Sequence, residues 1–276
     1  MKITMLVENT SSVPAIKTQH GLSVYIETAK HKVLFDTAWD GLCLRNAEAL
    51  GIDLKAVDTL VISHGHYDHG KGLRDFMAYN GKAKVYIRKA AFEPHYIKVL
   101  WAKVSIGLDA GLRDDPRIVF TDDVHRIDDE LLLFADVGGK QLLSKSAKKL
   151  LKKENGGFVQ DDFAHEQSLL VTENGEGVLF AGCAHRGIYN IVEAAQRHCG
   201  SLSTCVGGFH LYNPPTRRYE RKELIEALAN RLNETRVRFY TCHCTGQKAY
   251  EIMKDIMGDR VSYIRAGASM ELPQLP

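Results

Sequence analysis

The sequence contains no apolar run long enough to cross a membrane. A transmembrane helix needs about 20 successive apolar residues, and no stretch of this 276-residue chain approaches that length. The N-terminal MKITMLVENT alternates as a strand would, and it lacks the apolar region and cleavage site of a signal peptide. We therefore expect a cytoplasmic protein without a membrane partner.

Cysteine and net charge are also low. Six cysteines form no dense framework in a chain of this length, so reduced thiols are expected. The 36 basic and 34 acidic residues leave a formal net charge of +2, which gives no reason to expect a nucleic-acid partner. The chain has no Walker loop, no G-x-G-x-x-G after a strand and no G-x-S-x-G elbow. The oligomeric state cannot be read from these features.

The composition that remains, 45% hydrophobic and 8% aromatic, is that of a globular protein in which short strands alternate with helices. Strands are predicted at KITMLV, LSVYIET, KVLFDT, VDTLVIS and AKVYIR. Helices are predicted at WDGLCLRNAEALG and GKGLRDFMAYNG, each with a glycine at its end.

An internal repeat organises the chain. SVYIETAKHKVLFDTA, from Ser23, aligns without a gap with SLLVTENGEGVLFAGC, from Ser168. Each copy is followed by an apolar strand that leads to a histidine, His64 in DTLVISHGH and His210 in LSTCVGGFHL. The repeat predicts an α/β fold of two βα halves, whose sheets pack face to face with helices outside, an αββα sandwich.

Residues 92–160 carry the weakest pattern. We interpret 92–116, which has helical fragments punctuated by Pro94 and Pro116, as a lid or insertion within a single domain of residues 1–276. The segment KSAKKLLKK, residues 145–153, holds five lysines. We interpret it as a solvated helix face, and attraction of an anionic substrate is the alternative.

The strongest chemical signal is SHGHYDHG, which places His64, His66, Asp68 and His69 directly after a predicted buried strand. Four such side chains in six residues would cost several kcal/mol if they were buried in apolar surroundings without partners. In an extended loop His64 and His66 point the same way, whereas Asp68 and His69 turn into the next helix. A site for two neighbouring metal ions is therefore predicted.

HGHYDHG resembles the H-x-H-x-D-H signature of the metallo-β-lactamase superfamily, whose fold is the αββα sandwich inferred above. Further motifs resemble the dihydropterin ribofuranosylaminobenzene phosphate synthase-like branch of metal-dependent hydrolases: QHGLSVYIE, VLFDT, SHGHYDHGKGL, EQSLLV, GCAHRGIYNI, GGFHL and HCTG. The resemblance implies His64, His66, Asp68 and His69 as metal ligands, with His243 of VRFYTCHCTG as the final one.

The resemblance leaves the middle ligands open. The commoner superfamily order would select His165 of FAHEQSLL and then Cys183 of AGCAH, but the branch implies the histidine of GCAH. We favour His185, because it follows a strand end on the same side as Cys183, whereas His165 precedes its strand in an acidic loop. Cys183 is either a thiolate ligand or a packed thiol beneath the site.

The predicted activity is hydrolysis of an ester, phosphoester or related bond by a metal-activated hydroxide at a binuclear site. Zinc is the expected metal, and iron or manganese would suit nearly the same ligands. Asp68 would bind metal and orient the hydroxide, with His210 or Tyr67 stabilising charge or protonating the leaving group. Asp36 would orient a ligand imidazole or cap the turn at Thr37.

Two other functions remain open. One is a transferase that condenses a pterin methyl diphosphate with an arylamine ribose phosphate. The other is a non-catalytic, metal-dependent ligand-binding module. For the hydrolase we expect a small-molecule substrate, anionic or phosphorylated.

Overall fold

The structure, a computed structural model, describes residues 1–272; the last four residues of the predicted 1–276 domain lie outside the described part. The strands of the described part are β1 (Lys2–Val7), β2 (Ser23–Glu27), β3 (Lys32–Phe35), β4 (Thr59–Val61), β5 (Lys84–Ile87), β6 (His95–Val99), β7 (Ala102–Ser105), β8 (Ile118–Phe120), β9 (Val124–Arg126), β10 (Leu131–Phe134), β11 (Leu150–Glu154), β12 (Gly157–Gln160), β13 (Ser168–Glu173), β14 (Glu176–Ala181), β15 (Leu202–Gly207), β16 (Tyr212–Asn213), β17 (Arg218–Tyr219), β18 (Arg238–Thr241), β19 (Val261–Tyr263) and β20 (Ser269–Glu271). The α-helices are α1 (Leu42–Ala49), α2 (Tyr67–Gly70), α3 (Leu73–Tyr79), α4 (Ile188–His198), α5 (Lys222–Glu234) and α6 (Gln247–Met257).

Two mixed sheets dominate the described residues. The first has the order β20-β1-β2-β3-β4-β5-β8, and the second has the order β19-β18-β15-β14-β13-β10-β9. The repeat predicted from the sequence is present in this topology. The antiparallel hairpin β2–β3 is followed by the parallel strand β4, and the antiparallel hairpin β13–β14 is followed by the parallel strand β15.

The sheets pack face to face, as the predicted αββα sandwich requires. Buried residues of both sheets share one apolar core, in which the rings of Phe35 and Phe180 lie 6.1 Å apart. Helices α1 and α3 cover the outer face of the first sheet, and α4, α5 and α6 cover the outer face of the second. Because β4, β14, β15 and β18 end on the same side of this sandwich, the loops that follow them meet.

Residues 92–160, where the sequence pattern is weakest, contain a hairpin that the sequence did not indicate. The segment 92–116 contains no α-helix; it forms the hairpin β6–β7 between two short 3-10 turns. Strand β6 pairs with β11, so that β12-β11-β6-β7 form a separate four-stranded sheet. The role of 92–116 as a lid stays a prediction.

The predicted helix face at residues 145–153 is wrong. Ser146–Lys149 is a 3-10 turn, and β11 begins at Leu150. The physical reason is tertiary. Leu150 pairs with Ile97 of β6, and this long-range ladder overrides the helical propensity of lysine and leucine, as tertiary contacts commonly do.

The longest helix within residues 1–272 is α5, with 13 residues, which is too short to span a bilayer.

Candidate metal centre

Three imidazoles meet at the carboxyl ends of β4 and β14. His64 and His66 follow β4, and His185 follows β14; the distances between their ring centroids are 4.6, 4.8 and 4.9 Å. All three side chains are buried. Nε2 of His64 and Nε2 of His66 have no hydrogen-bond partner among the described residues. Leaving such atoms unsatisfied costs about 1–3 kcal/mol each, so their arrangement calls for a further group.

The tautomers of two of these rings follow from their neighbours. The Ser63 hydroxyl donates to Asp36 Oδ2 at 2.7 Å, so its oxygen accepts from Nδ1 of His64 at 2.9 Å. Nδ1 of His185 donates to Glu166 Oε1 at 2.8 Å, and the backbone N–H of His185 donates to the same oxygen at 2.7 Å. With Nδ1 protonated, Nε2 of each ring keeps its lone pair.

Burial lowers the pKa of His64, His66 and His185 well below the usual histidine value, and the neighbouring imidazoles lower it further. The rings are therefore neutral at pH 7. Neutral imidazoles with inward lone pairs are the donors that zinc and similar ions bind.

A second group lies beside the first. Nε2 of His243 is 3.2 Å from Nε2 of His69 and 3.3 Å from Asp68 Oδ2. Nδ1 of His69 faces Asp36 Oδ2 at 2.6 Å, and Nδ1 of His243 faces Asn9 Oδ1 at 3.0 Å. Both Nδ1 atoms thus donate, and two Nε2 atoms are aimed at each other and at a carboxylate. A cation between them satisfies all three groups, so these residues fit a divalent metal.

The charges in this group favour a cation. Burial by itself would raise the pKa of Asp68, but His69, His20 and His243 hold it well below its usual value. Burial would lower the pKa of His69, but Asp36 and Asp68 raise it above its usual value. The carboxylates that favour a proton on His69 also favour a metal ion, and the two compete for the same nitrogen.

Cys183 lies between the two groups. Its Sγ is 3.2 Å from Nε2 of His69, and it falls within donor distance of the first group as well as the second. Burial raises the pKa of this thiol. Geometry therefore permits both interpretations from the sequence, a bridging thiolate or a packed thiol.

Both ring nitrogens of His165 have partners within the protein, unlike those of His64, His66 and His185. Nδ1 of His165 accepts the backbone N–H of Gly65 at 3.0 Å, and its Nε2 donates to Asp161 Oδ2 at 3.2 Å. Both ring nitrogens are therefore engaged, and the ring supports the backbone between His64 and His66. Nδ1 of His95 contacts the same Asp161 oxygen at 2.9 Å.

A cavity of about 380 Å³ opens onto both groups, and we call it the metal-side cavity. Its wall includes His210 and Tyr67, with apolar residues from the hairpin β6–β7 and from β11. The ring of His210 lies 4.6 Å from that of His185, and neither of its nitrogens has a hydrogen-bond partner in residues 1–272. Burial and then Asp68 raise the pKa of Tyr67 to about 12, so its phenol keeps its proton.

The structure thus brings together every candidate of the sequence analysis. His165 lies beside His66, with ring centroids 5.1 Å apart. A further group of possible ligand atoms within 4.8 Å of one another is formed by His66, His95, Asp161 and His165. Both nitrogens of His165, however, already have partners within the protein. The predicted contact of Asp36 with a candidate ligand is confirmed, to His69. Sequence reasoning missed Glu166, Asn9, His20 and Cys244. Nε2 of His20 lies 3.2 Å from Asp68 Oδ2, and Sγ of Cys244 lies within 4.8 Å of the ligand atoms of Cys183 and His210. The motifs QHGLSVYIE, EQSLLV and HCTG contain His20, Glu166 and Cys244 and carried a usable signal, whereas nothing in the sequence marked Asn9.

Comparison with known proteins agrees with this arrangement. The family model described as the metallo-beta-lactamase superfamily matches residues 17–143. A crystal structure described as Tm1679, a metal-dependent hydrolase of the beta-lactamase superfamily, is 30% identical with a TM-score of 0.83, covering 99% of each chain. The chain belongs to the metallo-beta-lactamase superfamily.

Two further relatives extend the comparison. A Methanocaldococcus jannaschii protein named 7,8-dihydropterin-6-methyl-4-(beta-D-ribofuranosyl)-aminobenzene-5'-phosphate synthase is 28% identical, covering 91% of this chain and 89% of its own. Zn(2+)-bound PqqB from Methylobacterium extorquens is 10% identical with a TM-score of 0.58, covering 99% of this chain and 100% of its own. The second similarity shows the fold alone. The superfamily membership agrees with a metal-binding centre.

Proposed function

We propose that this member of the superfamily is a metal-dependent hydrolase with two divalent ions, zinc by preference. His64, His66 and His185 would hold one ion, and Asp68, His69 and His243 would hold the other. One observation carries the proposal. Asp36, Glu166 and Asn9 orient four of the five imidazoles, directly or through Ser63, so that their Nε2 lone pairs face shared points.

When bound, two divalent ions would lower the pKa of a water molecule and stabilise the negative charge on the attacking and leaving oxygens. This chemistry suits an ester, phosphoester or related bond. The chain's residues do the rest. The apolar wall of the metal-side cavity would contact the apolar part of a substrate, and Asp68 would hold the attacking group in line. His210 and Tyr67, on the same wall, are the candidate proton donors to a leaving oxygen.

A transferase is the second candidate, favoured by the 28% identity to the jannaschii synthase over most of both chains. The same residues would then stabilise a departing diphosphate instead of protonating an alcohol. Release of diphosphate that needs both a pterin methyl diphosphate and an arylamine ribose phosphate would support the transferase. Turnover of a simple phosphodiester that stops on chelation would support the hydrolase. Ligand binding without turnover on either substrate set would support the binding module.

Metal analysis of purified variants tests the ligand set. We expect two ions per chain in the wild type, loss of one in His185→Ala, and two retained in His165→Ala. His198→Ala is a matched control, since His198 pairs with Asp136 away from the site. Retention of both ions in His185→Ala, with loss in His165→Ala, would overturn the assignment. Cobalt-substituted protein distinguishes the two roles of Cys183. A thiolate ligand gives a sulfur-to-metal absorption band that is lost in Cys183→Ala, whereas a packed thiol gives no such band.

A further inference from the structure

A second cavity adjoins the candidate metal centre, and it has a different character. It measures about 620 Å³ and shares His185 with the metal-side cavity. Three lysines line it, Lys140, Lys145 and Lys148. We call it the lysine cavity. Phe163 also lines it and stacks on the ring of His185, with centroids 4.7 Å apart and planes 7° from parallel. The stacked rings of Phe163 and His185 therefore form part of the wall of the lysine cavity.

The lysine cavity has excess positive charge. Within residues 1–272, none of its three lysines forms an ion pair, although most of the other charged groups near it are paired. Asp162 is bound to Lys152 at 2.7 Å. The Asp161 carboxylate accepts from His95, from His165 and from the backbone N–H of Phe163. Lys152 thus offsets the charge of Asp162, and three hydrogen bonds occupy the Asp161 carboxylate, so neither acidic group pairs with the three lysines.

The loop that carries the lysines is anchored at both ends. The side chain of Asn190 on α4 accepts the backbone N–H of Gln141 at 3.1 Å and donates to its carbonyl at 3.1 Å. At the other end, Glu220 Oε1 accepts the Ser144 hydroxyl and the backbone N–H of Ser146, both at 2.8 Å. These contacts fix the backbone that carries the three exposed lysines, which lowers the entropy cost of ordering the loop around a ligand.

We infer that the lysine cavity is an anion subsite that receives a phosphoryl group of the substrate while the scissile bond lies in the metal-side cavity. This inference rests on the proposed function. It assigns the substrate class as a molecule with an apolar portion, suited to the walls made by Ile97, Ile106 and Leu150, and a phosphoryl group on the far side of His185. Ammonium groups without protein partners bind phosphate oxygens by charge-assisted hydrogen bonds.

Calorimetric titration of the purified full-length protein with inorganic diphosphate tests the subsite without any need for turnover. We expect Lys145→Ala/Lys148→Ala to weaken diphosphate binding at least about tenfold. The matched control Lys149→Ala/Lys153→Ala removes the same charge from the same segment outside the cavity, and we expect a change of at most about twofold. Equal weakening in both double variants would show that only general surface charge is involved. Unchanged binding in Lys145→Ala/Lys148→Ala would show that diphosphate binds at the metals. Either result overturns the inference.

A kinetic comparison tests whether the lysine cavity binds a phosphoryl group that belongs to the substrate, as distinct from free diphosphate. Two esters that differ only by a remote phosphate are compared. We expect Lys145→Ala/Lys148→Ala to raise KM for the phosphorylated ester alone, with kcat unchanged. An equal KM increase for both esters would contradict the subsite. Absence of turnover for every ester would count against the proposed hydrolase but would leave the calorimetric result standing.

Discussion

Glu166 holds His185 through two hydrogen bonds to a single oxygen, from the backbone N–H at 2.7 Å and from Nδ1 at 2.8 Å. The second oxygen of Glu166 accepts the backbone N–H of Arg186 at 3.0 Å. This buried carboxylate therefore fixes both the corner after β14 and the tautomer of the imidazole.

Glu166→Ala should weaken the metal that His185 is proposed to bind by about 10- to 100-fold, because the ring loses the partner that orients it. Competition with a chromophoric chelator measures this affinity. Glu166→Gln keeps an acceptor oxygen and should recover part of the loss. Equal affinity in wild type and Glu166→Ala would show that the ring is oriented by other contacts.

Gly65→Ala should disturb the loop between His64 and His66. A Cβ at this position would lie 2.5 Å from the carbonyl oxygen and 2.9 Å from the Cα of Ala91, and backbone atoms cannot move aside cheaply. We expect a loss of about 1–3 kcal/mol in the free energy of unfolding, measured by urea denaturation, together with lower metal content. Gly81→Ala is the control, since a Cβ there would meet nothing within 4 Å. Similar stability of the two variants would contradict this packing argument.

His210→Asn should lower kcat by about 100-fold if the ring protonates the leaving oxygen, with two metal ions retained. Steady-state kinetics on a phosphodiester, beside metal analysis of the same sample, makes the measurement. Tyr67→Phe is the companion variant, because its phenol keeps its proton at neutral pH and is the other donor on that wall. If His210→Asn keeps full kcat and Tyr67→Phe loses it, Tyr67 is the proton donor to the leaving oxygen and His210 is not.

His31 joins the two sheets and should make stability depend on pH. Its Nδ1 lies 2.9 Å from Asp58, and its Nε2 lies 2.6 Å from Asp128. Burial would lower the pKa of His31, but the two carboxylates raise it above the unfolded value of about 6.5. Its contribution is therefore complete below about pH 6.5 and is lost as the pH rises through the folded-state pKa.

Thermal unfolding of wild type and His31→Gln between pH 5 and about pH 9 measures this contribution. We expect a difference of up to about 1 kcal/mol at the acid end that shrinks as the pH rises, since the group is partly exposed. Burial would raise the pKa of Asp128, but His31 lowers it below its usual value, so the same difference should also fall at lower pH, as Asp128 is protonated. A difference that is independent of pH would contradict the ion pair. His125→Gln provides the control, since His125 on β9 packs against the ring of Tyr86 and forms no ion pair within residues 1–272.

Much of the candidate site could be predicted from local sequence. SHGHYDHG follows a short buried strand, and the internal repeat indicated that GCAH lies at the corresponding corner of the second half. The local interpretation failed at KSAKKLLKK, and the helical fragments noted in 92–116 gave no indication of the hairpin that forms there. Both segments form strands of one small sheet, because the pairing of Leu150 with Ile97 joins residues more than 50 positions apart, and no local period encodes such a contact.

The choice between His185 and His165 shows what tertiary structure added. Both residues are buried histidines near the same loop, and the sequence supplied only an order of strands and a resemblance. The structure brings Gly65 and Asp161 to the two nitrogens of His165, and it brings Glu166 to one nitrogen of His185. The residue pattern alone determined the two-layered sheet core and the cluster from His64 to His69, because these depend on an internal repeat and on short-range spacing, and the superfamily was implied by the resemblance of that cluster to a known signature. Only the folded chain decided which lone pairs face the centre and which lysines surround a cavity, because hydrogen-bond partners and neutralising charges come from segments that are distant in sequence.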